Sequence, residues 1–98
     1  MYGSIFRMKV KPGKTKEVIA VFEKWASERL PSVKGHVAGY VLQPDAKVNE
    51  LVGVAVFSDE QAYRANAENP EQGDWYQTLR ALLTDDPAWE DGKFAALG

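Results

Sequence analysis

From Tyr2 to Lys11 the side chains alternate. Tyr2, Ser4, Phe6, Met8 and Val10 point one way, and Gly3, Ile5, Arg7 and Lys9 the other. A period of two predicts a strand, which Pro12-Gly13 breaks. The period then lengthens. Val18, Val21, Phe22 and Trp25 share one helical face, flanked by Ile19, Ala26 and Leu30, while Lys16, Glu23, Lys24 and Ser27 fall opposite. This is an amphipathic helix from about Lys14 to Leu30, stopped by Pro31. Gly35 to Gln43 predicts a second strand, with His36, Ala38, Tyr40 and Leu42 on one face. Pro44-Asp45-Ala46-Lys47 then forms a hairpin connection.

The third strand, Glu50 to Phe57, is apolar on both faces: Val52, Val54 and Val56 on one, Leu51, Gly53, Ala55 and Phe57 on the other. Both faces should therefore be covered. Ser58 followed by Gln61 reads as a capping box opening a helix that ends near Asn69-Pro70. A further helical stretch, about Glu71 to Thr84, carries Trp75, Leu79, Leu82 and Leu83 on its buried side, and Asp85-Asp86-Pro87 ends it. The last strand, Ala88 to Leu97, is interrupted at Asp91-Gly92 by a turn or bulge signal.

Strand, helix, strand, strand, helix pair, strand is the order of an α+β, ferredoxin-like (split βαβ) fold: an antiparallel sheet with helices on one face. The valines of the third strand are expected to meet the helices. The opposite face would then carry Phe6, Met8, Tyr40, Leu42, Leu51 and Phe57, too apolar to leave in water. A homodimer packed through that sheet face, forming a barrel, would bury it.

Composition narrows the class. Ninety-eight residues suffice for one domain with one modest core, and 45% apolar residues are normal for a globular chain. No apolar run approaches the roughly 20 residues of a membrane span, and the alternating N-terminus is no signal peptide. The absence of cysteine removes disulfides and thiolate metal sites. With a net charge of -2, the lysines between Lys9 and Lys16 read as a solvated turn, which argues against nucleic acid as a partner. A cytoplasmic location without membrane association is the expectation.

The chain resembles the dimeric α+β barrels of the antibiotic biosynthesis monooxygenase family. The resemblance rests on Val10-Lys11-Pro12-Gly13-Lys14 ending the first strand and on the glycine-led strand Gly35 to Leu42. It rests also on Val54-Ala55-Val56-Phe57 running into Ser58-Asp59-Glu60-Gln61-Ala62, and on the short strand starting Ala88-Trp89-Glu90. It spans nearly the whole chain, so residues 1–98 are expected to form a single such domain. The family hosts cofactor-free oxygenases, haem-degrading enzymes and proteins of no known activity, so fold alone does not choose among them. The haem-degrading pattern needs an asparagine on the first strand and a histidine on a helix. Tyr2 to Val10 has no asparagine, and the sole histidine, His36, starts a strand.

What the resemblance implies is a cofactor-independent monooxygenase acting on an aromatic or apolar small molecule, with no bound metal or organic cofactor. The alternative is a non-catalytic dimeric module for a small ligand, or a scaffold. Asn66, Trp75, Tyr76 and Arg80 supply the residue types such oxygenases place around an aromatic substrate. Asn66 lies inside a helix and would hydrogen-bond a substrate oxygen or oxyanion. His36 is the only side chain that ordinarily titrates near neutrality, and would be the base if it faced the pocket beside Tyr40. Arg80 would supply charge. Trp75, Tyr76, Tyr40 and Phe57 would line the pocket, although packing alone explains Trp75 and Tyr76 better, as core and its boundary. Arg29, on the apolar face of its helix, calls for a carboxylate partner.

Overall fold

The protein's computed structural model describes residues 1–98. Strand β1 (Tyr2–Lys9) leads into helix α1 (Thr15–Glu28), then come β2 (His36–Leu42) and β3 (Glu50–Phe57), helices α2 (Glu60–Glu68) and α3 (Pro70–Arg80), and β4 (Ala88–Lys93). The strands form one antiparallel sheet in the order β2-β3-β1-β4. All three helices pack on one side, giving the ferredoxin-like α+β arrangement.

The sheet faces are the reverse of the sequence expectation. In the β1–β3 register Ser4 lies opposite Ala55, Phe6 opposite Gly53 and Met8 opposite Leu51. These pairs face the helices. Phe6, Met8, Val10 and Leu51 form one buried cluster with Val18 of α1, Leu79 of α3 and Leu83. Phe57, also assigned outward from sequence, packs against Tyr63 of α2. The valines Val52 and Val54 lie on the outer face with Ile5, Tyr40 and Leu42. Alternation could not decide this, because β3 is apolar on both sides. Bulk decides it: a Cβ added to Gly53 would sit 2.1 Å from the Phe6 ring, so that ring occupies a slot that only glycine leaves.

Several element ends also differ. The N-cap of α2 is Asp59, not Ser58; its extended backbone lets Oδ1 accept from the Ala62 amide at 2.8 Å. The Ser58 amide instead donates to the Gly35 carbonyl, extending the strand pairing. Helix α1 stops at Glu28, and Leu30–Ser32 forms one 3-10 turn around Pro31. Helix α3 stops at Arg80 because the following residues join the end of β1: Lys11 N–H bonds Leu82 O, and Thr84 N–H bonds Lys9 O. Strand β4 pairs without interruption through Asp91 and Gly92, then ends at Lys93.

The Gly53 slot yields a direct test. Gly53→Ala should displace the Phe6 ring and lower stability by about 1–3 kcal/mol, the usual cost of overpacking a core. In a domain of this size that is a fall in Tm of roughly 4–8 °C per kcal/mol, read by calorimetry.

Candidate functional site

The helix-facing side of the sheet is not filled evenly. At one end Met8, Leu51, Val18, Leu79 and Leu83 close into solid core. At the other, the floor is built from small residues, Ser4, Gly39 and Ala55, and Ala26 and Ala67 stand on the helices above. Small side chains there leave a cavity of about 660 Å³, within the size range of small-molecule sites.

Aromatic rings line it almost continuously. Phe6 lies 4.6 Å from Trp89 and 6.0 Å from Phe22; Phe22 is 5.2 Å from Trp75, and Trp75 5.8 Å from Trp25. Both inner indoles are satisfied elsewhere. Trp25 Nε1 donates to Gln72 Oε1 at 2.9 Å, and Trp75 Nε1 to the Val21 carbonyl at 3.3 Å. Their hydrogen bonds tie α1 to α3, and the cleft receives apolar ring surface.

His36 enters this cleft through a β-bulge. Pairing places His36 opposite Phe57, yet Ala38 opposite Val56, so Val37 is the extra residue. Strict alternation would have kept His36 on the same face as Ala38, Tyr40 and Leu42. The bulge turns it to the helix side instead. Its ring lies 6.0 Å from Trp25 and 5.5 Å from Phe57, over the space left by Gly39. Burial holds its pKa below the usual histidine value. The imidazole is thus neutral at pH 7, and it makes no hydrogen bond to another residue.

Asn66 sits on the inward face of α2, one turn beyond Tyr63, and lines the cleft. Its Oδ1 accepts from Arg29 Nη2 at 3.4 Å, while Arg29 Nη1 pairs with Glu71. The carboxylate expected for Arg29 is therefore present, on α3. At the β1–β4 side the Tyr63 hydroxyl donates to Asp91 Oδ1 at 2.9 Å. Arg64 bonds Asp91 Oδ2 and Tyr2. Burial, and then the Asp91 carboxylate, push the Tyr63 pKa up. Burial first and Asp86 second do the same for Tyr76, so both phenols remain protonated donors at neutral pH. Ser4 Oγ, nearby in the floor, is buried without a partner.

Of the residues singled out from sequence, His36, Asn66, Phe57, Trp75 and Tyr76 converge on this cleft. Two do not contribute as expected. Arg80 Nε pairs with Asp86 at 2.7 Å and Nη1 donates to the Leu83 carbonyl, outside the cleft. Tyr40 borders it, but its register opposite Val54 turns the ring to the outer face, where the residue is 70% exposed. Trp25, Tyr63, Ser4 and Trp89 were not singled out as site residues. Trp25 showed only as an apolar helix position, and Trp89 gains meaning only through its pairing with Phe6. No group of three or more His, Cys, Asp or Glu side chains is placed to hold a metal ion. No helix is long and apolar enough to cross a membrane.

The sequence model of the antibiotic biosynthesis monooxygenase family matches residues 1–78. Among solved structures, the chain is similar to an asparagine-to-alanine mutant of SnoaB, a cofactor-independent oxygenase from Streptomyces nogalater. Identity is 28%, coverage 99% of this chain and 93% of that one, and the TM-score 0.77. A conserved protein from Methanosarcina mazei Go1 is similar in fold at 16% identity, with 94% and 90% coverage and a TM-score of 0.82. A further structure, described as an antibiotic biosynthesis monooxygenase, shares the fold at 12% identity, with 98% and 100% coverage and a TM-score of 0.78. No curated protein matches the chain in sequence.

The half-buried histidine predicts a pH dependence of known sign. Its folded pKa is depressed, so the unfolded chain takes up a proton first as pH falls, and stability drops below the unfolded value of about 6.5. Proton NMR should show the His36 ring titrating below that value. Thermal melts between pH 7.5 and pH 5 should show a loss of Tm that His36→Gln reduces.

Proposed function

The chain belongs to the antibiotic biosynthesis monooxygenase family, and on that footing we propose that it is a cofactor-independent oxygenase of an aromatic, oxygen-bearing small molecule. Family membership and likeness to a cofactor-independent oxygenase support a monooxygenase-like role. The observation that carries the finer reading is the convergence, in one aromatic-walled cleft, of a neutral unpartnered imidazole with a carboxamide.

In this reading the substrate is flat and apolar enough to lie among Phe22, Trp25, Trp75 and Tyr76, and carries an acidic C–H or O–H. Anthrones and quinols have that chemistry. His36, held neutral by its partial burial, accepts the proton. The negative charge spreads onto a substrate oxygen, which Asn66 stabilises by hydrogen bonding. For an anthrone, the carbanion then adds O₂, forming a C–O bond. The resulting hydroperoxide loses water as its O–O bond breaks, leaving a carbonyl. One anthrone and one O₂ thus give one quinone and one water, with the substrate supplying the electrons. The rings keep water from the carbanion.

An oxygen electrode tests this with 1,8-dihydroxyanthrone. The protein should consume one O₂ per quinone formed, and Asn66→Ala should lower kcat by about 10²-fold, as loss of an oxyanion donor does. Unchanged turnover in the Asn66→Ala, His36→Ala double variant would overturn the assignment. Binding without oxygen uptake would favour the non-catalytic ligand-binding module.

The outer sheet face supports a second proposal, that the protein is a homodimer joined through it. Ile5, Val52 and Val54 are half-covered there, and Tyr40 and Leu42 are 70% and 59% exposed. An apolar surface of this kind calls for a partner, and a symmetric pair supplies one. Sedimentation at micromolar concentration should report a dimer, and Val54→Glu a monomer; a monomeric unmodified chain would refute it.

A further inference from the structure

Arg29 is an expensive residue in this fold. It caps the C-terminus of α1, only 14% of its side chain is exposed, and its Nε is buried with no acceptor. An orphaned buried donor costs on the order of a hydrogen bond or more. Its ion pair does not offset that, because Glu71 is 74% exposed and such pairs contribute little. The remaining contact is Nη2 with Asn66 Oδ1 at 3.4 Å.

That contact has a chemical consequence. A guanidinium is a donor with no acceptor capacity, so only the oxygen of the Asn66 carboxamide can face it. The amide nitrogen, Nδ2, then takes the other branch of the carboxamide and makes no hydrogen bond to another residue. Asn66 lines the cleft, so its free end is a pair of N–H donors. The guanidinium charge behind the amide further favours negative charge in front of it.

We propose that Arg29 is a positioning residue, which locks Asn66 with Nδ2 toward the cleft and makes that wall a donor site selecting a ligand by its anionic or carbonyl oxygen. The ligand part rests on the function proposed above; the locking of Asn66 does not. An amide free to flip would present an acceptor as readily as a donor, and would bind the protonated and ionised forms of a phenol with little preference. Arg29 removes the flip.

Two readouts separate the parts. In ¹H–¹⁵N spectra of the ligand-free protein, the Asn66 side-chain NH₂ pair is identified by its loss in Asn66→Ala. Arg29→Met should move and broaden that pair, Arg29→Lys should do so less, and Glu71→Gln, which breaks the ion pair alone, should leave it in place. An Asn66 pair unmoved by Arg29→Met, or moved equally by Glu71→Gln, overturns the proposal.

The second readout is anaerobic binding of 1,8-dihydroxyanthrone, followed by its absorbance. Arg29→Met should weaken the ionised probe by about tenfold, the worth of one charge-assisted hydrogen bond, and raise the pKa of the bound phenol by roughly 1 unit. Those effects should vanish in an Asn66→Ala background. Persistence there would mean that Arg29 acts on the probe or the fold directly, and overturns the positioning role. If the unmodified protein does not bind the anthrone at all, the proposed function fails, and the Asn66 resonances alone decide the locking.

Discussion

The Phe6 ring over Gly53 is the contact on which the rest depends. β1 and β3 are the two central strands; β3, apolar on both faces, could present either one to the helices, whereas the other face of β1 carries Arg7 and Lys9. Seating a large ring in a slot without a Cβ removes that freedom. Once Phe6 faces the helices, Met8 and Val10 follow by alternation on β1, and Leu51, Ala55 and Phe57 by register on β3. A one-residue slip would turn the whole set outward. Each of the fully buried aliphatic side chains in that set contributes about 1.5–3 kcal/mol of transfer free energy, so the choice is not marginal.

The same choice makes the cleft. Facing the helices, β1 offers Met8 at one end and Ser4 at the other, while β3 offers Leu51 at one end and Ala55 near the other. Bulk concentrates where α1 and α3 converge on Val18 and Leu79, and thins towards α2. The helices cannot collapse onto the thin end, because Trp25 and Trp75 stand between them and are held by hydrogen bonds to Gln72 and Val21. Stability and cavity are thus divided along the sheet rather than between its faces.

The two polar groups proposed for the chemistry each face this apolar space for a structural reason. The bulge at Val37 brings His36 inward, and Arg29 sits behind Asn66. Neither is a local feature of a strand or helix. Both depend on what the neighbouring element places opposite.

The periods of two and 3.6, the prolines at 12, 31 and 87, and the glycine-led second strand determined by themselves the number, order and type of elements, because those preferences act between near neighbours in the chain. The ferredoxin-like order and the aromatic content of the pocket were legible in the same way, through Trp75, Tyr76 and Phe57. Tertiary structure alone decided which face of β3 meets the helices, since apolar residues on both faces carry no directional signal. It alone turned His36 inward, because a bulge is a mismatch between two strands and has no trace in one. It also drew Arg80 to Asp86 and Arg29 to Asn66, because a charged side chain takes whichever partner the packed helices bring within reach.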